Sequence, residues 1–266
     1  MKTALTIAGS DSSGGAGIQA DLKTFTVLGV YGMTAITAVT AQNTTGVKQV
    51  LEIEPELVRK QIDVTAGDIE VDATKTGMLP TEAMIRVVED CISRNKLQPY
   101  VCDPVMVAKS GDELVKPDAM AAMRKRLFPL AAVVTPNRRE AALLAEVDPK
   151  VQFTLPSAKD AARRIVGGGA KAVVIKGIES ADQTVDLFFD GREFLEFSGK
   201  TQPSNKTHGS GCVFAAAIAA GLATGKSLVD AIDQAKSLVT MAIQYSDGQG
   251  RGTAPVNVLA FAPKKK

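Results

Sequence analysis

Short runs of β-branched and other apolar residues alternate along this chain with longer stretches whose apolar positions recur every three or four residues. Leu5 to Ala8, Thr34 to Thr40, Thr74 to Gly77, Tyr100 to Asp103, Ala132 to Thr135 and Ala172 to Lys176 read as buried strands. Between them, Ile18 to Leu28, Pro55 to Asp68, Thr81 to Asn95, Pro117 to Leu127 and Ser157 to Val166 carry helical spacing. This order predicts an α/β fold, a mostly parallel central sheet covered by helices on both faces. Thr184 to Phe197 departs from the alternation. There Val185 to Phe189 and Glu193 to Phe197 flank Asp190-Gly191, which predicts a β-hairpin at a sheet edge. Two helices, Cys212 to Ala223 and Leu228 to Tyr245, follow. With no repeat, linker or low-complexity tract, one domain over residues 1–266 is expected.

In a parallel sheet, ligands sit beyond the carboxyl ends of the strands, so the residues that follow each strand carry the candidate chemistry. The richest stretch is Thr207-His208-Gly209-Ser210-Gly211-Cys212, which opens into the small-residue helical run Ala215 to Ala220. Backbone N–H groups converging at a helix N-terminus form a seat for anionic charge, and the same field is expected to shift the Cys212 thiol toward thiolate. A plain glycine turn capping a buried helix accounts for the same residues equally well. After the first strand, Gly9 to Gly17 places four glycines in nine residues, which favours close approach of the backbone to a ligand. It fits neither the dinucleotide nor the P-loop fingerprint. A second near-match, Ala220 to Ser227, lacks the first glycine of a P-loop and lies at a helix end.

Gln42, after the second strand, carries a donor and an acceptor on one amide and can pair with the ring nitrogen and amine of an aminopyrimidine. Asp103, Asn137 and Glu140 follow later strands and offer hard oxygen ligands of the kind Mg²⁺ takes, often through water. Asn137 and Glu140 read as readily as a helix cap with its capping box. Lys176 closes another strand within reach of a phosphate, or is simply solvated.

Composition narrows the partners. A net charge of +2 from 31 basic and 29 acidic residues gives no field suited to nucleic acid, and 5% aromatic content without Trp leaves few stacking surfaces. No segment offers about 18 uninterrupted apolar residues, and Ala4 to Ala8 is too short for a signal peptide, so a cytoplasmic protein without membrane contact is expected. Three cysteines at irregular spacing suit neither a disulfide framework nor a paired-cysteine metal site, and a single histidine, His208, argues against His-based zinc chemistry. The terminal Lys264-Lys265-Lys266 reads as a solvated tail.

Taken together, Gly9 to Phe25, Ala38 to Thr44, Lys75 to Leu79, Cys102 to Gly111, Thr135 to Asn137 and Thr207 to Cys212 resemble the hydroxymethylpyrimidine/phosphomethylpyrimidine kinases of thiamine biosynthesis, over about residues 3 to 257. The resemblance implies a ribokinase-like, three-layer α/β/α fold and two successive ATP-dependent phosphorylations of 4-amino-5-hydroxymethyl-2-methylpyrimidine. Pyridoxal kinases of the same superfamily are the alternative. It implies an acceptor seated among Gly9, Ala16, Val39, Met78 and Val105, oriented by Gln42, with its hydroxymethyl oxygen toward Cys212. Gly209, Ser210, Gly211 and Cys212 would hold the transferring phosphoryl group, Asp103 and Glu140 would organise Mg²⁺, and Asn137, Lys176 and Thr207 would lie against ATP. A homodimer is implied as well. Many ribokinase relatives carry an Asp base where Cys212 stands, so the resemblance leaves Cys212 facing substrate, with its service as base open.

The chain also departs from that pattern. Lys176-Gly177-Ile178-Glu179 stands for an expected Lys-Gly-Gly-His, Ser210 for the commoner Thr, and Val213-Phe214 for smaller or polar residues; Gly250 to Asn257 carries two residues more than the usual Gly-x-Gly-Pro-Val-Asn. Two rival classes are a thiol enzyme with Cys212 as nucleophile and His208 as base, and a non-catalytic pyrimidine-binding regulator. The first lacks an evident third partner. The second has no use for the carboxylates and phosphate-loop glycines that this chain keeps.

Overall fold

The computed structural model describes residues 1–106, 117–147, 153–180, 182–202 and 205–262; Val107 to Gly111 of the motif read above, and the terminal lysines, lie outside the described residues. The strands are β1 (Thr3–Asp11), β2 (Tyr31–Asn43), β3 (Gly46–Glu52), β4 (Ala73–Thr76), β5 (Tyr100–Cys102), β6 (Val133–Val134), β7 (Val173–Ser180), β8 (Gln183–Phe189) and β9 (Phe194–Lys200). They form one sheet in the order β3-β2-β1-β4-β5-β6-β7-β8-β9. From β2 to β7 neighbouring strands are parallel, while β3, β8 and β9 join antiparallel at the two ends.

Alternation along each strand feeds two separate cores. Leu5, Ile7, Cys102, Val134, Val173 and Ile175 face one side, where the buried faces of α2 (Pro55–Asp68), α3 (Glu82–Arg94), α4 (Pro117–Arg126), α5 (Arg138–Leu144) and α6 (Leu155–Gly167) cover them. Ala4, Ala73, Val101, Val133 and Val174 face the other, beneath α1 (Gly17–Val27), α7 (Ser210–Ala223) and α8 (Leu228–Gln244). The small, uniformly apolar α7 is buried on all sides, because α1 and α8 flank it against the sheet.

The hairpin was legible. Asp190 Oδ1 accepts the N–H groups of Arg192 and Glu193, Gly191 takes φ +90°, and β9 lies at the sheet edge. By contrast β3 carries no sequence signal of a half-buried strand, since most of its residues are exposed at the opposite edge. The first two strands also run further than their apolar runs indicate. β1 continues through Asp11 past an irregularity at Gly9, and β2 continues through Asn43, so Gln42 sits on a strand rather than in a loop.

Candidate active site

The carboxyl ends of the parallel strands open into one cavity of about 540 Å³. Gly9, Ala16, Gln42, Met78, Val105, Asp103, Glu140, Asn137, Lys176, Thr207 and Gly209 to Cys212 all line it. Val39 does not. Strand alternation turns it away from Thr40 and Gln42, and it is 43% exposed, so the expectation that it seats a ligand is corrected.

The turn that opens α7, read above as a candidate phosphate seat, is built on a left-handed glycine. Gly209, the N-cap of α7, adopts φ +79°, and a side chain there would place its Cβ 1.7 Å from the Gly15 carbonyl oxygen. The Ser210 N–H donates to the Thr207 oxygen at 3.2 Å, and the first intrahelical bond runs from Val213 N to Gly209 O at 2.9 Å. The N–H groups of Gly211 and Cys212 thus belong to the first helical turn, ahead of that ladder. Val213 is fully buried beneath the turn and does not line the cavity, whereas Ser210 does. Lys176 stands over it, with Nζ 3.3 Å from where a Cβ on Gly211 would lie.

The same Lys176 Nζ donates to Asp103 Oδ1 at 2.8 Å, and Thr135 Oγ1 donates to that oxygen at 3.0 Å. Asn137 and Glu140 form the full capping box: Asn137 Oδ1 accepts from Arg139 N and Glu140 N, and Glu140 Oε2 accepts from Asn137 N at 2.8 Å. The structural reading of this pair is thus observed, and both residues also line the cavity. Burial pushes the Glu140 carboxyl up to about 7; the Lys176 charge opposes that rise and the Asp103 charge adds to it.

Cys212 departs from expectation. Burial drives its thiol up to about 11, and the nearby Lys75 charge and an N–H from Gly17 only partly oppose this. Desolvation outweighs the field of the helix terminus, so at neutral pH the group is a thiol. His208 does not serve it as base. Its Nε2 pairs with Asp11 Oδ2 at 2.8 Å, and among the described residues no hydrogen bond joins it to the Cys212 thiol.

Several residues of the site escaped sequence reading. Asp11 anchors the first glycine loop, accepting from Ser13 N and Oγ, Gly15 N and Ala16 N besides His208. Beneath the cavity Lys75 and Asp21, both fully buried, pair at 2.9 Å, with Thr6 Oγ1 donating to the same Asp21 oxygen at 2.6 Å. Asp21 holds Lys75 in its charged form against the pull of burial. At the far end, Asp186 accepts from Gly177 N at 2.7 Å and pairs with Lys236 at 3.2 Å. A lysine inside a buried strand was the available signal for the Lys75 pair. Nothing local marks Asp186 or Lys236.

Asp103 and Glu140 both line the cavity and offer hard oxygen donors. Two carboxylates beside a phosphate seat suit Mg²⁺, which keeps waters and takes substrate phosphate oxygens. No helix of the described residues is long and apolar enough to cross a membrane.

The phosphomethylpyrimidine kinase family model matches residues 11–257. The hydroxymethylpyrimidine/phosphomethylpyrimidine kinase of Rhizobium meliloti is 46% identical over 254 residues, covering 94% of each chain. The thiamine biosynthesis bifunctional protein ThiED of Geobacter sulfurreducens is 45% identical over 97% of this chain, which spans about half, 52%, of that longer protein. Among solved structures, the ADP complex of Bacillus subtilis pyridoxal kinase superposes with a TM-score of 0.89 at 40% identity, covering 98% of both chains.

Proposed function

From the premise that this chain belongs to the phosphomethylpyrimidine kinase family, we propose that its cavity transfers the terminal phosphoryl group of ATP to 4-amino-5-hydroxymethyl-2-methylpyrimidine and then to the monophosphate. One observation carries the reading: Gln42 and the Gly209 to Cys212 turn line the same cavity, so an acceptor and a phosphoryl group can meet there.

Phosphoryl transfer proceeds through a loose transition state and depends on alignment and charge neutralisation more than on covalent help. The first-turn N–H groups of Gly211 and Cys212, with the Lys176 ammonium, would stabilise charge on the transferring group. Asp103 and Glu140 would hold Mg²⁺ through water, and the ion would neutralise phosphate charge. Gln42 orients the pyrimidine through paired donor and acceptor contacts, while Gly9, Ala16, Met78 and Val105 supply the flat apolar wall. Cys212 faces the acceptor as a neutral thiol and orients it without acting as a strong base. Asn137 and Thr207 would lie against ATP. The same reading carries a cytoplasmic homodimer, which cell fractionation and sedimentation test.

A second acceptor, pyridoxal, has the pyridoxal kinase likeness in its favour. Gln42 favours the aminopyrimidine, because a pyridoxal ring presents no adjacent amine and ring nitrogen to match the amide. The deciding assay follows ADP release with Mg-ATP and the alcohol, its monophosphate or pyridoxal. Turnover with the first two supports the proposal; turnover with pyridoxal alone overturns the assignment.

A further inference from the structure

The Gly250 to Asn257 stretch, two residues longer than the motif it resembles, has a definite place in the fold. We propose that Gly250–Pro255 is a strap tying the acceptor end of the cavity to its phosphate end, with Thr44 as the positioning residue on which it pulls. The proposal rests on the acceptor reading of Gln42 given above.

Thr44 lies two residues beyond Gln42, in the turn between β2 and β3. The N–H groups of Arg251 and Gly252 both donate to its Oγ1 at 3.2 Å, and Thr253 N donates to its carbonyl oxygen at 3.0 Å. The wrap is tight. A Cβ on Gly250 would lie 2.3 Å from Thr44 Oγ1, and one on Gly252 would lie 2.0 Å from Thr44 O, so the side chain and backbone of Thr44 occupy the room a side chain would need. The other end of the strap is bonded to the phosphate loop. His208 N donates to Ala254 O at 3.0 Å, Val256 N donates to His208 O at 3.1 Å, and Ala254 N donates to Asn205 O at 3.0 Å.

Besides its pairing with Val47 of β3 and the bond its side-chain oxygen accepts from Thr40 Oγ1 at 3.2 Å, Gln42 has two moorings that reach other loops. One is Ser12, whose Oγ accepts from Gln42 N at 2.9 Å and lies 2.8 Å from Gln42 O. The second is the strap, two residues away. Neither Thr44 nor residues 250–255 line the cavity, so their influence on the acceptor passes through Gln42 and the turn that carries it. Because the strap is bonded to the residue preceding Gly209, it also sets how far the amide at 42 stands from the phosphate seat. An alcohol and its monophosphate differ in that distance, which makes the strap a determinant of how well each acceptor fits.

The test uses the full chain with Mg-ATP and the hydroxymethylpyrimidine. Thr44→Val keeps the shape of the side chain and removes the acceptor for two N–H groups. Acceptor KM should rise about tenfold, as expected for loss of one to two neutral hydrogen bonds, while ATP KM stays within about twofold. Thr44→Ser, which retains the oxygen, should restore the acceptor KM. A partly unfolded sample lowers the maximal rate without moving either KM, and Thr44→Ala provides a second variant read in the same way. Equal rises in both KM values, or no change in acceptor KM while Gln42→Leu raises it, would overturn the strap and leave the acceptor reading standing. If Gln42→Leu itself leaves acceptor KM unchanged, the reading beneath the strap fails and the strap with it.

Discussion

His208 Nε2 and Asp11 Oδ2 lie 2.8 Å apart although 197 residues separate them in the chain. The bond joins the glycine loop after β1 to the turn that opens α7, and so holds two of the loops that line the cavity together. Both side chains are buried, and Asp11 is further satisfied by Ser13, Gly15 and Ala16. Removing either partner leaves a buried polar group without its mate.

The same bond makes stability depend on pH in a defined window. Burial alone would raise the Asp11 carboxyl, but hydrogen bonds from His208 and from the Ser13 hydroxyl and N–H overcome it and hold the group at about 2. A folded value below the unfolded one, 3.8, contributes stability that is present above about pH 4 and is lost as pH falls toward 2. The contribution is on the order of 2 kcal/mol. Urea midpoints measured from pH 5 to pH 2 should fall less steeply in Asp11→Asn than in the parent chain. Parallel curves would refute the assignment.

Much of this was readable in advance because periodicity reports burial. The six parallel strands and the helices between them stand out, since one face or both faces of each must be apolar. β3 was invisible for the converse reason, lying exposed at an edge. Gln42, Asp103 and the Gly209 turn were legible because their residue types are costly or unusual where they stand. The Asp11 bond to His208, the Lys75 pair with Asp21, and the Asp186 contact with Lys236 were not, because they join residues remote in sequence whose partners only the fold brings together. Cys212 shows the other limit: its position at a helix start was legible, but the burial that decides its protonation was not.

That burial gives Cys212 a chemical signature. With the thiol at about 11, the thiolate fraction near pH 8 is about one part in a thousand, so alkylation by iodoacetamide should keep accelerating beyond pH 9 without a plateau. Cys212→Ala should reduce kcat for the pyrimidine alcohol by less than about a hundredfold, because loss of an effective general base costs about that or more. A plateau near pH 7 with a larger loss of kcat would restore Cys212 as the base.

Gly209→Ala should be far more damaging than its size suggests. The backbone at φ +79° disfavours any side chain, and the added Cβ would overlap the Gly15 carbonyl oxygen at 1.7 Å. Conformational strain and overpacking together should cost about 2 to 4 kcal/mol, a fall of several degrees or more in Tm, with turnover largely lost. A variant with parental Tm would mean that the two loops do not meet as described.

The Asp103 and Lys176 pair allows stability and chemistry to be separated. Their side chains are 2% and 11% exposed, so removing one partner strands the other charge with little access to water. Asp103→Ala should therefore destabilise the fold by about 3 kcal/mol, since breaking such a buried pair generally costs about 3 to 5. The double replacement Asp103→Leu with Lys176→Met removes both charges and should recover much of that loss. Activity should not recover, because the double variant lacks both the carboxylate proposed to organise Mg²⁺ and the ammonium set over the phosphate seat. Thermal melts and Mg-ATP turnover on the parent chain and the two variants decide the matter: recovery of both together would reduce the pair to scaffolding, whereas recovery of stability alone assigns the two charges to phosphoryl transfer.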